Sequence, residues 1–526
     1  MKLTGSFSTP RRLIDLGQPD SLSSNTVAAP KIVSTKGRRE EYVALSYCWG
    51  RQSYLRTLTT NIRQMETVIP VDQLPKTIND AFAIAWKLGV RYIWVDALCI
   101  IQDDPTDWEA EAKRMGAIYA NAYFTVAATS ASQAGQGFLN VREPKRAAVP
   151  FRSGPNQQSS GEVYFRQPGD FLSDYHTCIL ESPLRKRAWV LQEALLSRRT
   201  VHFTDKQIYM ECRCFMFAED GNVENAYDRS FKAHSFLDGL TMVTHTRGLE
   251  TYAEIFFDTW QEIVQRYTTL SITRSSDRLP ALSGLALPVE RNISCQYLYG
   301  IWNFNIAYRL LWHPAEPPMV PAEEWRAPSW SWAACDGSIF FGSYFSQETS
   351  RIYLLGTMET DHIRGGLEVR GRILPCYVSL NLRPEPKPSR SDRKLSYTPI
   401  TPPEYAFAAD EATLRAYNVE EDYGPFDDRV ETAGILVSQL RISEGRLMSA
   451  QSPAERNICR FDGGKGVGTD FHFLVLACDE SIEFHHCQGL MLERLDGEAE
   501  TYQRVGAGWS TDDVWHTYSE SIVTLI

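Results

Sequence analysis

The most constraining feature of the chain is an alternation of short apolar runs and helical patterns between residues 42 and 128. Three runs read as strands, at residues 42–45, 90–95 and 123–128. Helix-type patterns separate them, one after Leu74 and one after Asp107. This strand–helix–strand–helix–strand order predicts an α/β unit, with a parallel sheet flanked by helices and right-handed crossovers.

Capping residues predict where the two helices begin. Thr77 is the expected N-cap of the first helix, with Asp80 at its third position, and Gly89 supplies the stop. Asp107 is the expected N-cap of the second helix. Both helices then carry apolar residues at helical spacing, so each is expected to pack against the sheet.

Polar residues follow two of the predicted strands. Residues 46–50, Ser-Tyr-Cys-Trp-Gly, come directly after the first strand, and Asp96 follows the second. In parallel sheets, ligands bind outside the carboxyl ends of the strands. If these two strands are neighbours, both loops line one crevice.

Helical phase singles out one carboxylate on the second helix. At 100° per residue, Glu111 lies about 40° from Met115 and about 60° from Trp108, at the inner edge of the apolar stripe. Glu109, about 160° from Glu111, is expected to face water. Partial burial would raise the pKa of Glu111 and suit it to acid–base or cation-stabilising work. The alternative is a structural carboxylate, exposed or paired with Arg114 or Lys113.

A basic and aromatic stretch occupies residues 185–193 (RKRAWVLQE). Its cations, Arg187 among them, could bind phosphate, and Trp189 could stack on a planar ring. The alternative is the first turn of a helix with Trp189 in the core, because aromatic residues are more often buried than used as ligand platforms.

The rest of the chain divides by pattern. Residues 1–40 read as a leader, and residues 41–215 as the α/β domain. Residues 216–315 read as a helical segment, and residues 316–526 as a mostly antiparallel β domain with a mobile loop at 383–403.

Composition excludes several classes of protein. The net charge of −11 argues against a broad nucleic-acid-binding surface, and no apolar run is long enough to span a bilayer. The 11 cysteines are scattered, which favours free thiols in a reducing compartment and predicts no metal site.

Five blocks, in this order, resemble the fungal heterokaryon-incompatibility (HET) domain. They span roughly residues 41–205, and their agreement in both sequence and order makes the resemblance specific. The blocks are YVALSYCWG (42–50), LPKTIND (74–80), YIWVDALCIIQDD (92–104), DWEAEAKRMGAIYANAYFTVAA (107–128) and RAWVLQEALLSRR (187–199). Ala97 and Ala188 stand where Ser and Gly are commoner in the family.

The resemblance implies a cytoplasmic fungal protein of self/non-self recognition and regulated cell death. HET domains are distantly similar to TIR (Toll/interleukin receptor) domains, some of which hydrolyse NAD with a Glu on a helix after a central strand. Carried over, that Glu falls on Glu111. No cofactor is required in this reading, because NAD is the substrate.

The same resemblance distributes the other roles around NAD. Ser46, Asp96 and Gln102 are the candidates for holding ribose hydroxyls or amide groups, and Tyr47 is a further candidate for substrate binding. Trp49 and Trp189 are the candidates for stacking, and Arg187 for meeting the pyrophosphate. The candidate partners are NAD or a related nucleotide, and a second copy or an incompatibility protein.

Two other functions stay open. In a non-enzymatic signalling or scaffold domain, Trp49 and Trp189 are simply core residues, and Asp96 and Gln102 cap loops. An accessory role in a secondary-metabolite cluster is also compatible with a HET domain, although the sequence carries no reaction signature for it.

Overall fold

The fold is described from a computed structural model. It covers residues 9–17, 29–140, 147–153, 159–165, 174–212, 215–225, 249–290, 295–315, 319–341, 350–360, 364–379, 406–408, 440–441, 458–461, 468–479, 486–495, 500–510 and 518–526. The chain forms two units. The first comprises Met1–Thr259, Leu270–Thr273 and Pro280–Val289; the second comprises Trp260–Thr269, Arg274–Leu279 and Glu290–Ile526.

A mixed sheet organises the first unit. The strands of this unit are β1 (Arg12–Asp15), β2 (Lys31–Ser34), β3 (Tyr42–Ser46), β4 (Tyr92–Trp94), β5 (Phe124–Ala127), β6 (Ala147–Ser153), β7 (Ser159–Phe165), β8 (Arg199–Phe203), β9 (Ile208–Cys212), β10 (Phe215–Ala218) and β11 (Val223–Asn225). Nine of them form one sheet in the order β11-β10-β9-β8-β5-β3-β4-β1-β2, while β6 and β7 pair separately.

The predicted parallel sheet is the centre of this larger one. Strands β4, β3, β5 and β8 run parallel to one another. The predicted α/β sheet with flanking helices is therefore confirmed, but the sheet as a whole is mixed. The reason is that β1 and β2 add antiparallel strands at one edge, and β9 to β11 add them at the other.

Helices cover this sheet. Those of the first 200 residues are α1 (Ile62–Met65), α2 (Lys76–Lys87), α3 (Asp96–Cys99), α4 (Pro105–Ala112), α5 (Met115–Asn121) and α6 (Ala188–Leu196). The later helices are α7 (Leu249–Thr268), which is divided between the two units, α8 (Pro280–Glu290), and α9 (Ile306–Arg309), which belongs to the second unit. The core beneath them is apolar: Val43, Ala44, Ile93, Trp94 and Val126 are wholly buried.

Both predicted N-caps are wrong, because tertiary contacts recruit the capping side chains. Helix α2 begins after Pro75, while the hydroxyl of Thr77 accepts a hydrogen bond from the amide of Gly137. Helix α4 is capped by Asp104, which accepts from the amides of Thr106 and Asp107. Asp107 instead accepts from the amide of Ile101 at 2.9 Å.

The second unit is mostly β, as predicted. Its strands are β12 (Tyr297–Leu298), β13 (Ile301–Trp302), β14 (Trp312–Pro314), β15 (Val320–Pro321), β16 (Cys335–Asp336), β17 (Ile339–Phe341), β18 (Tyr353–Met358), β19 (Gly366–Ser379), β20 (Ala406–Ala408), β21 (Leu440–Arg441), β22 (Ile458–Phe461), β23 (Gly468–Asp479), β24 (His486–Arg494), β25 (Thr501–Ser510) and β26 (Glu520–Leu525). Its larger sheet is built around the long antiparallel strands β19, β23, β24 and β25. The predicted loop 383–403 lies outside the described residues.

The expectation of free cysteines is wrong for one pair. The register of β23 and β24 sets Cys478 opposite Cys487 with 4.1 Å between their Cα atoms, and the two are disulfide-bonded. Cys48, Cys99 and Cys178 are free and buried. Within the described part of the chain, no helix combines the length and apolarity that a membrane crossing requires.

Two glycines set the spacing between α5 and α8 in the first unit. A Cβ on Gly116 would lie 2.8 Å from the carbonyl oxygen of Gly284 and 2.9 Å from its Cα. Both neighbours are backbone atoms, so a side chain there forces the helices apart.

We therefore expect Gly116→Ala to destabilise the first unit by about 1–3 kcal/mol, as overpacking does in a dense core. Thermal denaturation of the full chain measures this. Gly356→Ala is the control, because a Cβ on Gly356 meets nothing within 4 Å. Equal stability of the two variants would contradict the close helix contact.

Candidate active site

The site begins with the register of the parallel strands. Ala44 on β3 pairs with Trp94 on β4, so Ser46 at the end of β3 lies level with Asp96 just beyond β4. On the other side, Ser46 pairs with Ala127 of β5. The two loops are therefore neighbours at the carboxyl edge of the sheet, where the sequence placed them.

A buried carboxylate closes over the end of β3. The hydroxyl of Ser46 donates to Oε2 of Glu193 on α6 at 2.5 Å, and both residues are buried. Glu193 also shares a hydrogen bond with the hydroxyl of Tyr119, which donates to the carbonyl of Leu45 at 3.0 Å. Burial raises the pKa of Glu193 to about 7, against the opposing effects of the Ser46 hydrogen bond and the charge of Arg187.

A second carboxylate stands beside the first. Asp96 accepts from Nε1 of Trp49 at 2.8 Å and from the amide of Ala97 at 2.7 Å. Burial raises its pKa, while the hydrogen bond from Trp49 and the charge of Arg187 act to lower it. Nε2 of Gln102 donates to the backbone carbonyl of Asp96 at 3.0 Å and so ties the loop to the same place.

One arginine serves both acids. Arg187, the residue before α6, donates to the backbone carbonyl of Tyr47. Its charge acts on Asp96 and on Glu193, and each acid acts on the other. Ionising both acids beside a single cation costs electrostatic free energy, so one of the two carboxyl groups is expected to stay protonated near neutral pH.

The residues at the centre of the cluster are buried, and those around them, which we call the rim, are partly exposed. Ser46, Tyr47, Tyr119 and Glu193 are buried. The partly exposed residues are Trp49, Asp96, Gln102, Trp108, Arg187 and Trp189. The rings of Trp108 and Trp189 meet edge to face with 6.3 Å between their centroids. Such a rim offers indole faces, a guanidinium and a carboxylate to a small polar molecule that carries a planar ring.

Glu111 occupies a different cluster. It is wholly buried, beyond the partial burial that helical phase predicts, and Glu109 is exposed and paired with Lys113. Oε1 of Glu111 lies 3.4 Å from Nε of Arg11 and 3.9 Å from a terminal nitrogen of Arg114. Burial raises its pKa, mainly against the charges of Arg114 and Arg12. The structure thus brings together Ser46, Tyr47, Trp49, Asp96, Gln102 and Arg187, and pairs Glu111 with the N-terminal segment.

Sequence reasoning missed Glu193 and Tyr119. The signal for Glu193 was available, because it lies about 40° from Trp189 and about 60° from Val190 on a helical wheel, on the apolar side. The phase argument applied to Glu111 selects it equally well. The partnership of Tyr119 with Leu45 depends on the docking of α5 against β3, which no local pattern encodes.

Comparison with known proteins identifies one family. The family model described as "Heterokaryon incompatibility protein (HET)" matches residues 42–193, from the start of β3 to Glu193. No curated protein and no solved structure matches the chain. Within the described residues, no group of three or more His, Cys, Asp or Glu side chains is placed to hold a metal ion.

The raised pKa of Glu193 predicts how stability depends on pH. Glu193 keeps its proton up to about pH 7 in the folded protein, whereas in the unfolded chain it releases the proton near pH 4.5, the ordinary pKa of a glutamate. Below pH 4.5 the group is protonated in both states, so it gives the free energy of unfolding no pH dependence. Between pH 4.5 and about 7 only the folded state keeps the proton, so the free energy of unfolding falls as the pH rises.

Glu193→Gln removes this titration. We expect the difference in unfolding free energy between the variant and the native chain to move by about 3 kcal/mol in favour of the variant from pH 4.5 to pH 7.5. Denaturant unfolding across that range measures it. Glu109→Gln, at an exposed position, is the control; parallel pH profiles for Glu193→Gln and the native chain would contradict the assignment.

Proposed function

We propose that this chain, a HET-domain protein by its residues 42–193, acts in heterokaryon incompatibility by cleaving the ribosyl–nicotinamide bond of NAD. Regulated cell death would follow from loss of the cytoplasmic NAD pool. The observation that carries the proposal is the Ser46–Glu193 pair beside Arg187, at the carboxyl edge of a parallel sheet.

The strand order supports this placement. Along the parallel core, β4, β3, β5 and β8 stand in the order 2-1-3-4 of their appearance in the chain. In doubly wound sheets of this order, the ligand lies where the connections diverge on either side of the first strand. Here that point is the end of β3, where Ser46 meets Glu193.

Topology also favours Glu193 as the functional carboxylate. Some TIR domains, to which HET domains are distantly similar, use a Glu on a helix after a central strand. Glu193 lies on α6, which comes after the central strand β5 and the separate pair β6 and β7, whereas Glu111 lies on α4, after β4 at the edge of the parallel core. A catalytic role for Glu111 stays a prediction, and the experiment below includes it.

Cleavage of the ribosyl–nicotinamide bond requires stabilisation of the positive charge that develops on the ribosyl carbon, and it does not require a strong acid. Nicotinamide leaves NAD as a neutral heterocycle, so the ribosyl carbon becomes oxocarbenium-like as the C–N bond breaks. An ionised Glu193 would stabilise that centre, and water would add its oxygen to the ribosyl carbon and release a proton. The cationic nicotinamide ribose would itself favour the ionised carboxylate on binding, because an opposite charge nearby lowers a carboxyl pKa.

The rim supplies the remaining contacts. Arg187 would meet the pyrophosphate, since guanidinium groups pair with phosphate oxygens. Trp49 or Trp189 would stack on a base. Asp96 and Gln102 would hold ribose hydroxyls, and Ser46 would orient Glu193.

An NAD-consumption assay on the purified full chain tests the proposal. We expect Glu193→Gln to lower turnover by at least about 100-fold, the scale of losing one charge-stabilising group. Glu109→Gln is the matched control and should leave turnover unchanged. Glu111→Gln tests the other carboxylate; a loss of turnover in that variant alone would move the catalytic role to Glu111. Unchanged turnover in Glu193→Gln would overturn the assignment.

One observation favours a second candidate, a non-enzymatic signalling domain. Ser46 and Glu193 are only 4% and 6% exposed, so their hydrogen bond also fastens α6 to the end of β3. Under this reading, the native chain consumes no NAD, and Glu193→Gln changes stability alone.

A further inference from the structure

The N-terminal strand pair, β1 and β2, docks on the edge of the sheet. Its two strands pair in antiparallel register from Arg12 opposite Ser34 to Asp15 opposite Lys31. Strand β1 then pairs with β4 through Ile14 opposite Ile93. Leu13, Ile14 and Leu16 are fully buried by this docking. These residues of the segment predicted as a leader are therefore part of the core.

Basic side chains of this strand pair fill an acidic groove on α4. Arg12 pairs with Asp107 and donates through Nε to the carbonyl of Cys99 at 2.7 Å. Arg11 lies 3.7 Å from Asp107 and 3.4 Å from Glu111. The acidic groove therefore consists of Asp107, Glu111 and the edge of β4 on which β1 pairs, and it holds Arg12 at the start of β1 and Arg11 directly before it.

A short exposed link joins the strand pair to the rest of the sheet. Residues 36–39 are exposed, between the end of β2 and the start of β3. Lys36 has a φ of +48°, a left-handed conformation that strains a residue with a Cβ, and Gly37 follows with a φ of +78°. The amide of Arg38 donates to the carbonyl of Thr35 at 2.9 Å and closes this turn.

We propose that the N-terminal strand pair exchanges between two copies of this chain. Its apolar residues and the charges of Asp107 and Glu111 make release into water costly, because buried groups lose their partners. The same groove on a second copy offers every one of those partners. Opening the link at Lys36 relieves its strain, so exchange conserves the contacts and changes only the hinge, as in domain swapping.

The exchanged dimer places the arginines of one copy on the acids of the other. Asp107 and Glu111 lie on α4 together with Trp108, which forms part of the rim of the candidate active site. Each rim would then rest on a helix held by the second copy. The exchange does not depend on whether that site cleaves NAD.

Complementary charge reversal tests the exchange. One full-length variant carries Arg11→Glu and Arg12→Glu, and a second carries Asp107→Lys and Glu111→Lys. In each variant alone, the strand pair and the groove carry charges of the same sign. In a mixed exchanged dimer, each strand pair meets a groove of opposite charge, so attraction is restored at both sites. We expect mixing or co-expression to give a heterodimer of about twice 59.7 kDa by light scattering, with a higher melting temperature than either variant. The variant with all four reversals in one chain is the control for folding. Mixed variants that stay separate and gain no stability would overturn the proposal.

Variants of the Lys36–Gly37 link provide a second test, which does not depend on whether the charge-reversed chains fold. They leave Asp107, Glu111 and the two arginines unchanged. Deletion of Lys36 and Gly37 makes the closed turn too short, so we expect the dimer to predominate. Lys36→Gly relieves the strain of the closed turn, so we expect the dimer fraction to fall at least about tenfold relative to the deletion. A folded, monomeric deletion variant would contradict the exchange.

Discussion

The burial of two acids against one arginine at the end of β3 is the constraint on which the candidate site depends. Ser46 and Tyr119 hold Glu193, Trp49 holds Asp96, and Arg187 lies within electrostatic reach of both acids. Removing one partner of such a cluster leaves a buried charge uncompensated, which is strongly destabilising. The loops after β3 and β4 and the start of α6 are therefore fixed relative to one another before any ligand binds.

The same sheet carries a second compensated cluster on α4. Asp107 and Glu111 are matched by Arg11, Arg12 and Arg114. The two clusters differ in the origin of their cations. Arg187 directly precedes α6, whereas Arg11 and Arg12 belong to the N-terminal segment at the start of β1. Because two cations that neutralise the acids of α4 lie in the N-terminal segment, the position of α4 depends on that segment. Helix α4 in turn positions Trp108 at the rim.

Much of the first unit could be predicted from the sequence, because its signals are local. Strand–helix alternation gave the parallel strands β3, β4 and β5, and the polar ends of two strands gave the neighbouring loops of Ser46 and Asp96. The HET resemblance gave the family and the extent of the domain. Helical phase correctly placed Glu111 on the inner side of α4, although the structure buries it completely rather than in part.

The rest depends on contacts between distant segments. Arg114, a partner of Glu111 that the sequence suggested, lies three positions later, but Arg11 lies 100 positions earlier in the chain. The cap of α4 is Asp104, because Asp107 pairs with Arg12 and accepts from the amide of Ile101. Cys478 and Cys487 pair because β23 and β24 are adjacent, which their spacing alone does not reveal. Glu193 could have been found by phase, but its bond to Ser46 spans 147 positions of sequence and follows only from the strand order.

Infrared difference spectroscopy of the carboxyl stretch, native chain against Glu193→Gln, tests the central claim most directly. A protonated carboxyl band assigned to Glu193 should titrate with a pKa of about 7, far above an ordinary glutamate, and should weaken when NAD is added at constant pH. A band that has vanished by pH 5, or one that NAD leaves untouched, would contradict the account.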